Sequence, residues 1–347
     1  MSIKKQKLLC GLIPLLFVIL AVSPLCFAQD DNSAVNAWPH LRLGAGARSI
    51  GLGGAFTAIA EDATATVWNP AGLGSAADLN LNFSTQRLSL NRSHNFIALT
   101  KTLGSYGAVG IAASNFGVSG IPMHTDDDGQ EEGRFDVSFN AYSLSYGIAI
   151  GNFNVGLTGR MLSDNFGVED VENESGFGGV DIGLMGHALH IDISERMMGQ
   201  ALHVHTEAND GQVQVPTLHY GIVAKYLGSS YGEAAATIPM VINAGVAYDL
   251  YMGNVVTFSV DLEQEFVNLE QSPFSLRGGI EYNFFTSRST DFALRAGVRA
   301  SRDVQTLFGG FGVNVAGLQV DYAIQEGMAS EINGAGSTHY VSISYAY

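Results

Sequence analysis

The chain ends in an alternating strand. Tyr347, Tyr345, Ile343, Val341 and His339 share one face of it, and Ala346, Ser344, Ser342 and Tyr340 share the other. Side chains of an extended strand point to opposite faces with period 2. Behind an export signal, a strand that stops on an aromatic residue is expected to be the closing strand of a membrane β-barrel. Tyr345 and Tyr347 are then its candidate signal for the barrel-assembly machinery. One face of every such strand is solvated by lipid, and that changes how the remaining residues are read.

The export signal is legible at the other end. Lys4, Lys5 and Lys7 precede an apolar run from Leu8 to Val22, and Cys26-Phe27-Ala28 offers small residues at −3 and −1. This is the pattern of a secretory signal peptide over residues 1–28, with cleavage expected after Ala28. An N-terminal membrane anchor competes with that reading, but the run is short and carries Pro14. Leu25 stands where a lipoprotein signal at Cys26 wants a small residue.

Both cysteines, Cys10 and Cys26, fall in that signal. The exported chain therefore has no disulfide, no cysteine nucleophile and no thiolate metal site. Its formal charge of −16, or −19 once the three signal lysines are gone, disfavours nucleic-acid binding, which needs a basic surface. The 42 glycines sit inside alternating segments, which suits a closely packed wall with tight turns. A secreted soluble β-sandwich adhesin shares this profile and stands as the reading of another class.

Residues 44–77 are rich in small residues and show no period-2 pattern, so short helices and turns are expected there, with Gly72 and Gly74 as terminators. From Leu79 the pattern predicts fourteen strands, at 79–88, 92–102, 105–115, 136–150, 153–163, 177–188, 217–227, 239–250, 254–265, 274–285, 290–300, 306–315, 317–325 and 338–347. Most have the ~9–11 residues that cross a hydrocarbon layer when tilted. Those at 92–102 and 105–115 alternate poorly. Connections alternate long and short, as expected for long extracellular loops and short periplasmic turns. The exception is 189–216, long where a turn is expected, so that an extra hairpin or a miscount by two strands stays open.

Charge divides the same way. The connections 116–135 and 164–176 are acidic, whereas Arg160, Lys225, Arg277, Arg295 and Arg299 balance Asp249, Asp261, Glu263, Glu281 and Asp321 within strands. Arg or Lys facing lipid at the midplane costs ~2–4 kcal/mol. All ten are therefore expected inside the barrel, as a mixed-sign network in a narrow lumen.

The block Gly46-Ala-Arg-Ser-Ile-Gly-Leu-Gly-Gly-Ala-Phe-Thr-Ala-Ile-Ala-Glu-Asp-Ala-Thr-Ala-Thr-Val-Trp-Asn-Pro-Ala-Gly-Leu73 resembles the N-terminal signature of the PorV/PorQ family of outer-membrane proteins. More remotely it is similar to the FadL family of hydrophobic-compound channels. Val320 to Ile324 and Gly336 to Tyr345 resemble the PorV/PorQ terminal hairpin, although the final residue is Tyr where phenylalanine is commoner. The resemblance implies an all-β, fourteen-stranded transmembrane barrel (79–347, with 189–216 as an insertion) and an N-terminal segment and hatch (29–78) folded into its lumen. It implies a non-enzymatic role as a type IX secretion-associated component, with secretion-system proteins and cargo as partners. A passive channel for hydrophobic small molecules is the alternative. Outer-membrane lipid and lipopolysaccharide are expected partners on either reading, and no cofactor is expected.

By the same resemblance Glu61, Asp62, Trp68, Asn69, Pro70, Ala71 and Gly72 are candidate hatch or gating residues. Pro70 fixes φ and pushes Asn69 out of the α region, and Asn69 can bond neighbouring backbone. This suits a movable kink or a turn that seats the hatch. Glu61 and Asp62 are expected to cap a helix or to pair with Arg295 and Arg299. Gly44 to Gly54 does not make a dinucleotide loop, since Ser49 breaks the third glycine and no strand precedes. His203 and His205 are weak metal candidates within a histidine-rich stretch, outweighed by scattered polar positions. Asp126 to Glu132 lacks EF-hand spacing. No triad, paired catalytic carboxylates or HExxH is present.

Overall fold

The computed structural model describes residues 38–123, 133–168, 171–189, 217–232, 238–251, 254–266, 274–287, 290–301, 305–327 and 337–347. The strands are β1 (Leu79–Leu88), β2 (Arg92–Thr102), β3 (Ala108–Met123), β4 (Gly133–Ile150), β5 (Phe153–Asn165), β6 (Ser175–Leu189), β7 (Thr217–Leu227), β8 (Ser230–Tyr231), β9 (Met240–Tyr251), β10 (Val255–Phe266), β11 (Phe274–Ser287), β12 (Thr290–Ser301), β13 (Gln305–Val315), β14 (Leu318–Gly327) and β15 (Thr338–Ala346). All but the two-residue β8 are long, and each pairs antiparallel with its neighbours around a closed ring of fourteen. β1 pairs with β15 from Asn80↔Ala346 to Arg87↔His339. Beyond that ladder Leu79 and Tyr347 exchange both backbone hydrogen bonds, at 3.1 and 2.9 Å. Closure removes the unpaired edge that lipid cannot solvate, and it overturns the sandwich alternative.

Alternation decides what faces lipid. Val260, Leu262, Ile280, Leu294, Val320 and Ile343 are exposed on the outside, and Asp261, Glu281, Arg295, Asp321 and Ser342 are buried inside. A wall apolar outside and polar inside, closed on itself, is an outer-membrane β-barrel. No helix among the described residues is long and apolar enough to cross a membrane.

The structure corrects several expectations. β3 begins at Ala108 because a 3-10 turn, Gly104–Tyr106, with positive φ at Gly104 and Gly107, occupies the expected first residues. It runs on to Met123 because Ile121 to Met123 pair with Gly133 to Phe135 beyond a bulge, so the expected 116–135 loop is mostly sheet. β8 was not foreseen; it adds to β6 through Gly176↔Tyr231 and Phe177↔Ser230. β6 pairs directly with β7 from Val180↔Leu227 to Leu189↔Thr217, so the ring of fourteen needs no strand from the segment between them. That segment, the signal peptide with its Ala28 site, the acidic run 126–132, and His203 and His205 lie outside the described residues.

Within the ring, residues 38–75 form a chain of short turns. They comprise a 3-10 helix Pro39–Leu43, a helix Ala47–Gly51, a helix Ala65–Trp68 and a 3-10 helix Pro70–Ser75. Ile50, Leu52, Phe56, Trp68 and Leu73 make a core with the inward residues Ala108, Ala247, Phe308 and Ala323. The poor alternation of β2 has its cause here. Its inward Phe96 and Ala98 pack on Ala45 and Ala63 of this insert, so both faces of the strand are apolar where the period-2 signal needs contrast.

Candidate functional site

The insert is a hatch seated against the wall on nearly every side. Gly46 and Ala47 donate backbone N–H to Ser84 of β1 and Ser342 of β15, and Gln86 of β1 donates to the Gly44 carbonyl at 2.9 Å. Across the lumen the wall carries glycine at several places where hatch backbone presses on it. A Cβ at Gly156 would lie 2.2 Å from the Pro70 carbonyl carbon, and one at Gly297 would lie 2.2 Å from Gly53 N. Much of the chain's strand glycine is therefore a docking floor, a use beyond wall packing and turns.

Asn69 is the knot of the hatch. Its extended backbone, φ −158° and ψ 105°, ends the Ala65–Trp68 helix ahead of Pro70. The side chain is fully buried. Its Nδ2 donates to the Thr57 carbonyl at 2.9 Å and to the Leu184 carbonyl of β6 at 3.3 Å, and its Oδ1 accepts from Ala71 N at 3.2 Å. Gly72 then passes so close to Ala60 that a Cβ would sit 1.5 Å from that carbonyl oxygen. Trp68 donates Nε1–H to the Ala45 carbonyl at 2.8 Å, and Lys225 stands over its ring at 5.5 Å.

The lumenal charges fall into several separate groups. Low in the barrel, Glu281 accepts from Arg48 of the hatch at 3.1 and 3.0 Å and from Arg295 at 2.5 Å, and Arg295 reaches Asp321 at 2.7 Å. Higher up, Arg160 grips Asp181 through two bonds, 3.2 and 2.8 Å, while Asp181 also accepts from the Tyr226 N–H at 3.0 Å. Beside it Arg277 pairs with Glu263, and Arg42 of the hatch pairs with Glu265. Asp249 binds His219 at 2.9 Å and the Thr257 hydroxyl at 2.7 Å. Asp261 spends one oxygen on the hatch N–H groups of Phe56 and Thr57, at 3.0 and 2.9 Å.

Two sequence-level pairings are revised. The ten charges do not pair only with one another. Asp249 and Asp261 serve a histidine and backbone donors, so Lys225 and Arg299 have no carboxylate within ion-pair distance among the described residues; Arg299 instead donates to the Gly53 carbonyl at 3.4 Å and stacks on Phe308 at 5.3 Å. Glu61 and Asp62 do not reach Arg295 or Arg299, which are held by these other partners. Asp62 accepts from Thr64 N and Thr64 Oγ at 2.8 and 2.5 Å, a local turn cap. Hatch and wall are joined with the opposite sign, hatch arginine to wall carboxylate. Arg42, Arg48, Asp181 and Glu265 were missed in the sequence. Arg48 could have been found as the lone charge in Gly44–Ala60.

The lumen differs at its two ends. Toward the turn end, a cavity of 520 Å³ is lined by Arg48, Glu61, His187, His219, Asp249 and Glu281. A second, of 270 Å³, is lined by Asn80, Asn82, Asn314, Gln319 and Ser344. Toward the loop end the surfaces are aromatic. Trp38 packs edge-on against Phe139 and Tyr231 at 5.3 and 4.9 Å, and His40 stacks on Phe116 at 4.9 Å. Tyr226, Leu162, Ile238 and Val241 complete that cluster. Burial and the neighbouring His94 push the His40 imidazole down to about 3.

No protein-family model and no curated protein matches the chain. Solved structures do. The Pseudomonas putida toluene transporter TodX superposes with a TM-score of 0.56 at 11% identity, covering 88% of this chain and 99% of TodX. The toluene transporter TbuX of Ralstonia pickettii gives 0.50 at 12% identity, covering 88% and 98%. A FadL homologue of Pseudomonas aeruginosa gives 0.50 at 8% identity, covering 86% and 98%. At these identities the likeness is one of fold, and the fold is that of the FadL-like outer-membrane barrels.

Proposed function

We propose that the protein is a non-enzymatic, passive conduit of the outer membrane for small hydrophobic compounds, with the hatch as its gate. The observation that carries this reading is the contrast between the two ends of the lumen. The loop end holds an aromatic box of Phe116, Phe139 and Tyr231 closed around the hatch's own Trp38 and His40, and the turn end is lined by polar and charged groups. An indole so placed occupies the kind of space that a flat apolar molecule fills, since concave apolar pockets with few polar groups are the usual small-molecule sites. The fold shared with proteins described as toluene transporters supports the same reading.

The test is uptake of toluene by cells whose outer membrane otherwise limits its entry. The protein is expected to speed uptake. Trp38→Ala, which empties the box, is expected to alter the rate while the barrel still assembles. Uptake equal with and without the protein would end the proposal.

The resemblance of residues 46–73 and of the terminal hairpin to the PorV/PorQ family keeps a second reading, a component of type IX secretion. Co-purification of a secreted cargo protein would favour it. Toluene uptake lost on deletion with secretion intact would favour the conduit.

A further inference from the structure

The outward face of the barrel is not uniform. On β11 each outward residue from Phe274 to Phe284 is apolar, namely Phe274, Leu276, Gly278, Ile280, Tyr282 and Phe284. At ~3.3 Å per residue and a tilt of ~40° that is a band roughly 25 Å tall, enough for the ~25 Å apolar belt of an outer-membrane barrel. On β1 the outward apolar run is only Leu79, Leu81 and Phe83, roughly 10 Å. The next outward residue is Thr85, and its row continues across the sheet as Asn95, Asn115 and Asn140, each the register partner of the one before.

These side chains lie outside and not in the lumen. Their strand neighbours Gln86, His94, Phe96, Phe116, Phe139 and Ala141 are the ones that meet the hatch or its cavities. Thr85 and Asn95 lie six and seven residues above the turn-side ends of β1 and β2, at Leu79 and Thr102. That is roughly 15–18 Å up, inside a belt about 25 Å tall. Thr85 Oγ1 donates to Asn95 Oδ1 at 2.8 Å, and Asn115 Nδ2 donates to Asn140 Oδ1 at 2.8 Å. The amide N–H groups of Asn95 and Asn140 are then left with no protein acceptor among the described residues. One step toward the loops, Arg87 is exposed and makes no ion pair among the described residues, and its register partners are Ser93 and His339.

Acyl chains cannot satisfy these donors, and unsatisfied polar groups in hydrocarbon are costly. We propose that the outward face of β15 and β1–β4 binds the phosphorylated saccharide headgroup of an outer-leaflet glycolipid, drawn down against the Thr85–Asn140 row. Sugar hydroxyls and acyl-linkage carbonyls accept from the asparagine amides. Arg87, at the loop-ward edge of the row, takes a phosphate, for which its planar fork is matched. The chain is strongly acidic overall, yet the charge one step from this row is Arg87, exposed and without an ion pair among the described residues. Headgroup descent here thins the apolar layer beside the seam where the first strand meets the last.

The experiment compares wild-type protein, extracted from native outer membranes in mild detergent, with Arg87→Gln/Asn95→Leu. Retained glycolipid is quantified by mass spectrometry. The wild type is expected to carry it in stoichiometric amount and the variant several-fold less. Equal retention overturns the proposal. A second measurement does not rely on the double variant. Asn95→Cys and Ile280→Cys are labelled with a polarity-sensitive fluorophore in bilayers containing the glycolipid. A polar environment at residue 95 and a hydrocarbon environment at residue 280 are expected; hydrocarbon at both positions overturns it. Disulfide-linked dimers through Asn95→Cys in the native membrane would also overturn it, by showing that a second copy covers the row.

Discussion

Arg48 of the hatch and Glu281 of β11 are joined by two hydrogen bonds, 3.1 and 3.0 Å long. The same carboxylate is held by Arg295, so the bond is both a latch on the hatch and part of the wall's own charge balance. Removing one partner of a buried pair leaves the other uncompensated, at about 3–5 kcal/mol. Arg48→Met takes away only the hatch's half, because Arg295 still neutralises Glu281. The hatch is therefore expected to loosen while the barrel keeps its thermal stability in detergent. Single-channel recordings should show larger or more frequent openings. Glu281→Gln strands Arg48 and leaves Arg295 with Asp321 alone, and is expected to lower barrel stability as well.

The Asn69–Gly72 turn is expected to fail differently. Asn69→Ala leaves the Thr57 and Leu184 carbonyls and the Ala71 N–H without this partner, and each unsatisfied buried group costs about 1–3 kcal/mol. Gly72→Ala puts a methyl where the Ala60 carbonyl stands, 1.5 Å away, so the turn must move. Both variants are expected to insert as heat-modifiable barrels, because the β1–β15 ladder is untouched. Their hatches should be cut faster by protease between residues 44 and 77. Cleavage no faster than in the wild type would show that the turn does not hold the hatch.

The strands were legible because lipid outside and charge inside give a strong period-2 contrast, as along β10 from Val256 to Glu263. The contrast failed at β2, where the hatch makes Phe96 and Ala98 as apolar as their outward neighbours. The charge partners were harder to read for a related reason. Alternation says that Arg160 and Asp261 point inward, but not which inward carboxylate meets which cation. That depends on strand stagger and on what the hatch contributes. Asp181 and Arg48 close the two best-defined networks, and neither stands out by spacing from the residues it binds. The glycine floor was equally hidden, since composition cannot tell a glycine that turns a chain from one that admits another backbone.

Lipid-facing and lumen-facing neighbours on one strand should respond oppositely to charge. Val260 is exposed on the outside and Ser259 is buried inside. Val260→Arg is expected to destabilise the inserted barrel by about 2–4 kcal/mol if it lies near the midplane, read by denaturant titration of refolding into vesicles. Glu263→Gln, on the inner face, should leave insertion into lipid unaffected and act instead through Arg277, which would lose its partner.

Acidification should release the first turn of the hatch. His40 is buried, stacked on Phe116, with Trp38 and Phe139 around it and His94 as its titratable neighbour; its Nε2 has no hydrogen-bond partner among the described residues. Docked, its imidazole is pushed down to about 3, whereas in water a histidine titrates near 6.5. Between those values the undocked segment binds a proton that the docked one refuses, so docking weakens as pH falls. The loss approaches about 1.4 kcal/mol per pH unit below the undocked pKa, and above it the docked state keeps its full stability. In a Trp68→Phe background, where Trp38 is the only tryptophan, emission is expected to shift toward that of a solvated indole as pH drops from about 7.5 to about 4. His40→Phe removes the titrating group and keeps an aromatic ring on Phe116, so its emission should stay constant over the same range. A wild-type signal equally flat would show that protonation of His40 does not drive this turn from its box.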